Sequence, residues 1–118
     1  MITDALPLLA PDDTMRDAVV LLAERRGIVI VVDGERRVCG VVTAGDLTRL
    51  MERESDIFPV PVRRVMNSRP KVGRRDELAS AVVYRMEQHG IMAMPVVGDD
   101  GRVEGVVHLH DLMRAGAA

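Results

Sequence analysis

Two carboxylates in this sequence stand at equivalent points of a repeated motif, where a strand pattern gives way to a helix. Asp46 comes three residues after Thr43, and Asp111 comes three residues after His108. A carboxylate just inside a helix N-terminus stays ionised near the positive end of the helix dipole and can accept two hydrogen bonds from a vicinal diol. Unpaired backbone N–H groups nearby favour an anionic group on the same ligand. The motif therefore predicts a ligand that carries a diol and an anion.

The same carboxylates have a simpler interpretation, in which each acidic residue caps its helix and binds no ligand. A single copy of Gly-x-x-Thr-x-x-Asp favours neither interpretation. The recurrence of the carboxylate in a second copy favours ligand binding. The copies differ in one respect, since His108 stands where the first copy has Thr43.

A histidine pair adjoins the second carboxylate. His108 and His110 lie two positions apart where a strand ends, so strand alternation would place both imidazoles on one face. A metal ion could use that geometry, but a structural zinc site needs four ligands, and only His89 and the distant Cys39 remain as candidates. We therefore predict no metal site and expect the histidines to contact a ligand or to line a cleft between the repeats.

Basic and methionine side chains supply further candidates. A basic cluster surrounds the start of the second repeat. One interpretation is a solvated face. The other is that one or two of its side chains, with Arg49 and Arg114, contact a phosphate or carboxylate of the ligand. Met92 and Met94 alternate along a strand, either in the core or lining the cleft, and we include Met94 in the site. The basic cluster comprises Arg63, Arg64, Arg69, Lys71, Arg74 and Arg75.

The elements that must position these residues also occur twice. The offset between copies is 63 before the central hairpin and 65 after it, which predicts two extra residues in the second hairpin. In each copy an amphipathic helix ends at a glycine and a hairpin and a short helix follow. In the second copy Asp76 is the predicted cap. The predicted buried stripe of that helix consists of Leu78, Ala81, Val82 and Met86. The predicted strands span 28–32, 38–43, 91–97 and 103–107, and the closing helices span 45–51 and 109–115.

This order predicts an α+β unit used twice. Residues 1–53 form the first module, residues 54–64 a linker that contains two prolines, and residues 65–118 the second module. Each half is too small to be stable alone, so we expect the two halves to pack their sheets together around a shared core.

Composition excludes several classes of function. Hydrophobic residues make up 47% and charged residues 29% of the 118 residues, as in soluble globular proteins. The net charge of −2 and the scarcity of aromatic residues indicate no nucleic-acid partner. The longest apolar run, residues 27–32, is too short to span a bilayer, so we expect no membrane partner and a cytoplasmic location. No nucleophile stands beside a histidine and a carboxylate in recognisable order, so we expect no enzymatic activity.

The order of elements, closed twice by Gly-x-Val-[Thr]-x-x-Asp-Leu, resembles the CBS domain family over nearly the whole chain. The resemblance implies tandem CBS modules, each β-α-β-β-α, that form a pseudo-two-fold pair with a cleft on either side. In that family the motif Asp holds ribose hydroxyls, and a hydroxyl residue three positions earlier contacts a phosphate. The predicted ligand-binding residues are therefore Thr43, Asp46, Arg49, Met94, His108, His110, Asp111 and Arg114.

A narrower resemblance concerns bacterial arabinose-5-phosphate isomerases, the sugar isomerases that begin Kdo synthesis for lipopolysaccharide. Residues 105–116 resemble the end of those enzymes, and residues 43–47 are similar to the Thr-Asp-Gly-Asp-Leu of their first CBS module. Because a sugar-isomerase domain precedes the CBS pair in that family, the resemblance implies an excised C-terminal regulatory fragment. An ordinary stand-alone CBS pair is the alternative.

The isomerase resemblance also implies partners. A nucleotide or nucleotide-sugar in the cleft would control an attached isomerase domain, with CMP-Kdo, the end product of the pathway, as the expected effector. AMP and ATP are the alternatives, since the wider family most often binds adenine nucleotides, and no cofactor is expected. A homodimer is expected, and the remaining hypothesis is a structural dimerisation module that binds no ligand.

Overall fold

The computed structural model describes residues 1–24 and 27–116. These residues fall into two compact units. The first unit comprises Pro7–Pro70, and the second unit comprises Met1–Leu6 together with the chain from Lys71. Each unit therefore contains one copy of the repeat, and the second unit also takes in the six residues that open the chain.

The first unit has a three-stranded sheet with the order β1-β2-β3, in which β1 runs parallel to β2 and β3 runs antiparallel to it. A 3₁₀ turn at Val62–Arg64 follows the last helix. The elements are β1 (Leu8–Leu9), α1 (Met15–Glu24), β2 (Ile28–Val32), β3 (Val38–Thr43) and α2 (Ala44–Arg53).

The second unit repeats this arrangement with the sheet order β4-β5-β6 and the same strand directions. Its order of elements confirms the predicted β-α-β-β-α repeat and the α+β fold class. The family resemblance implied an opening strand in each unit, but the residue pattern located neither β1 nor β4, because two residues are too few to show alternation. The elements are β4 (Gly73–Arg74), α3 (Ala79–Gln88), β5 (Ala93–Val97), β6 (Val103–His108) and α4 (Leu109–Arg114).

The two hairpins are equal in length, and this corrects the predicted insertion. Five residues, 33–37, separate β2 from β3, and five, 98–102, separate β5 from β6. The error arose from Ile91, whose β-branched side chain reads as the start of a strand. Its N–H instead donates to the Met86 carbonyl at 2.8 Å and closes α3, so β5 begins only at Ala93.

The first core is built from one stripe of α1 and the inner faces of the sheet. Met15, Ala18 and Leu22 are buried at the predicted spacing. Val60 and Val62 are also buried in this core, although they lie in the segment predicted as a linker. Each fully buried aliphatic side chain contributes about 1.5–3 kcal/mol, so this segment stabilises the first unit.

The second core departs from its predicted stripe at the start of α3. Leu78 is 76% exposed because it is the N-cap residue, with extended backbone, and lies outside the helical face. The helix has no side-chain cap, so the prediction that Asp76 caps it was wrong. The buried residues of this core are Val82, Val83, Met86, Met94, Val96, Val107 and Leu109.

Candidate functional site

The first candidate carboxylate is part of a helix cap. Thr43 has extended backbone and is the N-cap residue of α2. The Asp46 N–H donates to Thr43 Oγ1 at 3.4 Å, and the Thr43 N–H donates to Asp46 Oδ2 at 2.8 Å. These two reciprocal bonds form a capping box, an arrangement that satisfies two backbone donors at once.

Two side chains also donate to the Asp46 carboxylate. Thr43 Oγ1 donates to Oδ2 at 3.1 Å, and Arg49 Nη2 donates to Oδ1 at 2.5 Å. A carboxylate offers about four acceptor positions, so these bonds and the backbone bond leave little capacity for a diol. The Asp46 side chain is 14% exposed, whereas the Arg49 side chain is 66% exposed. A ligand would therefore have to displace Arg49 to gain full access to this carboxylate.

The second candidate carboxylate has a different neighbourhood. His108 is the N-cap residue of α4, and its side chain makes no cap hydrogen bond. The imidazole is 7% exposed, and its Nδ1 lies 3.9 Å from Asp111 Oδ2. The Asp111 side chain is 34% exposed and forms an ion pair with Arg114 through Oδ1. The histidine removes the hydroxyl half of the capping box, and the carboxylate beside it is more accessible than its counterpart in the first unit.

His110 and Met94 lie apart from this arrangement. Strand β6 ends at His108, so His110 belongs to α4 and is exposed while His108 is buried. Strand alternation therefore does not extend to the histidine pair, contrary to the expectation from spacing. Met94 is fully buried in the second core, and Met92 is 52% exposed. Within residues 1–24 and 27–116, no group of three or more His, Cys, Asp or Glu side chains could hold a metal ion.

Four members of the basic cluster form exposed ion pairs, each within its own unit. In the first unit, Arg63 pairs with Asp12 and Arg64 with Glu54. In the second unit, the corresponding contacts are Arg74 with Asp99 at 3.0 Å and Arg75 with Glu104 at 3.3 Å. Exposed pairs of this kind contribute about 0–1 kcal/mol each. This arrangement favours the interpretation of the cluster as a solvated face.

A cavity of about 280 Å³ lies in the first unit, at the C-terminal end of α2. None of the predicted ligand-binding residues lines it, because Thr43 and Asp46 stand at the opposite end of the same helix. The lining residues are Leu50, Arg53, Glu54, Val60, Arg64 and Val65.

One ion pair in the second unit was not foreseen. Arg85 Nη1 and Nη2 donate to the two carboxylate oxygens of Glu77 at 2.8 and 2.9 Å, and Nη2 also donates to the Val72 carbonyl at 3.0 Å. The hydrogen bonds from Arg85 hold the pKa of Glu77 below its ordinary value. These hydrogen bonds from Arg85 connect α3 to the residues on either side of β4. Sequence spacing carries no signal for the ion pair, because Glu77 lies outside the helix that carries Arg85.

A protein-family model described as CBS domain matches this chain twice, over residues 1–53 and 62–118. Arabinose 5-phosphate isomerase KdsD of Pseudomonas aeruginosa is 37% identical to it over 90 residues, which are 76% of this chain and 28% of the relative. The chain spans about a third of the length of the curated relatives it matches. Among the described residues, no helix is both long enough and apolar enough to cross a membrane.

Two solved structures share the fold. One is CBSX2 in complex with AMP, with a TM-score of 0.83 and 24% identity over 98% of this chain and 91% of that chain. The other is the CBS domain pair of protein MJ0100 in complex with 5′-methylthioadenosine and S-adenosyl-L-methionine. Its TM-score is 0.85 at 20% identity, with 98% of this chain and 90% of that chain covered.

Proposed function

This chain belongs to the CBS domain family, and on that premise we propose that it senses a nucleotide or a nucleotide-sugar. The family match confirms a CBS pair, a regulatory ligand-binding module and not a catalytic domain. The observation that carries the ligand proposal is the recurrence of a carboxylate, Asp46 and Asp111, after the last strand of each unit.

The second unit is the stronger candidate for the ligand. Asp111 is partly exposed and can accept hydrogen bonds from the 2′- and 3′-hydroxyls of a ribose. Arg114 lies beside it and can exchange its bond to Asp111 for bonds to a phosphate, since an exposed ion pair is cheaply broken. His108 adjoins the same carboxylate and is the third member of this proposed site.

Adenine nucleotides are the first ligands to test. Of the two solved structures with the same fold, one is a complex with AMP and the other a complex with two adenosine derivatives. The KdsD relative supports the finer proposal that an isomerase domain is attached to this pair and responds to its ligand. In that setting CMP-Kdo is the alternative effector, because it too carries a ribose and a phosphate. A cytoplasmic location and a homodimer of pairs complete the proposal.

Isothermal titration calorimetry with AMP, ATP and CMP-Kdo tests the proposal directly. We expect binding heat with at least one of the three and at least about a tenfold loss of affinity in Asp111→Ala, the scale of a lost hydrogen bond to a charged group. Glu87→Ala, which removes an exposed carboxylate from α3, is the matched control and should bind normally. No heat with any of the three ligands, in a sample folded by circular dichroism, would reject the sensor function.

A structural dimerisation module that binds no ligand is the second candidate, and the capping box supports only one part of it, a structural use of the Asp46 carboxylate. The Asp46 carboxylate is already bonded to the backbone and side chain of Thr43 and to Arg49. A purely structural dimerisation module predicts that Asp46→Ala lowers the stability of the fold and leaves ligand affinity unchanged. Light scattering that shows a monomer would contradict this second candidate and also the homodimer of the sensor proposal.

A further inference from the structure

The opening residues of the chain pair with the strand that leads to the second candidate site. The Ile2 N–H donates to the Val106 carbonyl at 3.0 Å, and the Val106 N–H donates to the Ile2 carbonyl at 2.9 Å. Two residues that exchange both bonds form a hydrogen-bonded antiparallel pair. The first unit has the same feature, since Asn67 and Val41 exchange bonds of 2.8 and 3.0 Å.

A glycine makes each of these pairings possible. A Cβ atom at Gly105 would lie 2.7 Å from the Ile2 carbonyl oxygen and 2.7 Å from the Met1 side chain. A Cβ atom at Gly40 would lie 2.7 Å from the Asn67 carbonyl oxygen. Any residue with a side chain would therefore push the paired segment away. The first glycine of the repeated motif thus has a physical role that is independent of any ligand.

The pairing lies close to the candidate site along the chain. Val106 comes two residues before His108 on β6, and residues two apart point to the same face of a strand. His108 is the N-cap of the helix that carries Asp111. A displacement of β6 at Val106 would therefore move His108 and the start of that helix.

We propose that Met1 and Ile2 are positioning residues for the site formed by His108, Asp111 and Arg114. Ligand binding at that site and the pairing of Ile2 with Val106 then stabilise each other, because coupling between two equilibria is reciprocal. This inference rests on the proposed ligand function. It also names the segment through which ligand binding would affect a domain that precedes the pair, since such a domain would join the chain there.

Amide hydrogen exchange of the full chain, measured by NMR with and without AMP, tests the coupling. We expect AMP to slow exchange at Ile2 and Val106 by about fivefold or more, the lower end of allosteric coupling factors. Val41 and Asn67 are internal controls with the same pairing geometry, and their exchange should change less. Asp111→Ala should abolish the protection at Ile2 and Val106. The same measurement is made with ATP or CMP-Kdo if only these give binding heat.

Two variants test the reverse direction. Ile2→Pro removes one donor of the pair without changing β6. It should weaken ligand affinity by the same factor by which the ligand slows amide exchange at Ile2 and Val106 in the wild type. Gly105→Ala should do the same, whereas Gly40→Ala, its equivalent in the first unit, should not. Binding heat with no protection at Ile2 and Val106, or an Ile2→Pro chain that binds like the wild type, overturns the coupling and leaves the sensor function intact. Absence of heat with all three ligands overturns both.

Discussion

The first and second units place a carboxylate at the same point of the same fold, yet its surroundings differ. In the first unit Thr43 and Asp46 close a capping box, and Arg49 covers the remaining oxygen. In the second unit a buried imidazole takes the place of the hydroxyl, and Asp111 is 34% exposed where Asp46 is 14% exposed. The Thr43 hydroxyl therefore accompanies a carboxylate that is engaged in a cap, and the His108 imidazole accompanies a carboxylate that is more exposed.

The comparison also separates what the copies share from what distinguishes them. Both hairpins have five-residue turns, and in both the strand register shifts just before the turn, at Val31/Val32 and at Val96/Val97. Both last strands also accept a paired segment against a glycine. The hairpins and the pairing against a glycine are therefore common to both units, whereas the residues at the start of the last helix differ.

The largest expected effect concerns the shared framework. Gly40→Ala brings a Cβ atom within 2.7 Å of the Asn67 carbonyl and of Met66 Sδ, and such overpacking costs about 1–3 kcal/mol. Gly34→Ala is the matched control, since nothing lies within 4 Å of a Cβ atom there. Urea unfolding monitored by circular dichroism measures both free energies of unfolding. Equal stabilities of the two variants would show that the paired segment is not held against Gly40.

The next effect distinguishes the two carboxylates by stability. Asp46→Ala removes the acceptor of the capping box and should destabilise the fold by about 1 kcal/mol. Asp111→Ala should cost less, because Asp111 is more exposed and His108 makes no side-chain cap. Thermal unfolding of both variants at the same pH gives the difference. A larger loss in Asp111→Ala would contradict the assignment of the structural role to Asp46.

A third variant converts the second junction into the first. His108→Thr restores the hydroxyl of a capping box, which should raise the free energy of unfolding by at most about 1 kcal/mol. The loss of the apolar contacts of the buried imidazole offsets part of this gain. If a new capping box engages Asp111, ligand affinity should fall at the same time. Calorimetry and urea unfolding of the same sample check both outcomes. Unchanged affinity together with a formed cap would show that the histidine does not determine access to Asp111.

The smallest effect is a pH dependence confined to the second unit. Hydrogen bonds from Arg85 lower the pKa of Glu77, so the pair contributes stability that is fully present above the ordinary glutamate pKa of about 4.3. That contribution is lost as the pH falls through the lowered pKa of Glu77 in the folded state. Because both side chains are partly exposed, we expect at most about 1 kcal/mol. Arg85→Met should remove this part of the acid sensitivity, and urea unfolding from about pH 6 to about pH 3, on both sides of that pKa, measures it.

The repeat itself was predictable from particular residues. Runs of β-branched residues after Gly27 and before Thr43 predicted β2 and β3 to the residue, because such side chains favour strands. The capping box was implicit in the spacing of Thr43 and Asp46. Ile91 and Leu78 misled the prediction, since their hydrophobicity indicates burial in a regular element while their backbones belong to helix ends.

Local chemistry along the chain determined the order of elements, the twofold repeat and the position of both carboxylates, because helix and strand periodicities and caps depend on neighbouring residues. Tertiary structure alone decided three further points. It paired Ile2 with Val106 and Asn67 with Val41, joined Glu77 to Arg85, and gave Asp111 more exposure than Asp46. The paired residues share no helix or strand, so their spacing in the sequence carries no periodic signal. The exposure of a side chain depends on what packs around it, so it too is decided only in the folded chain.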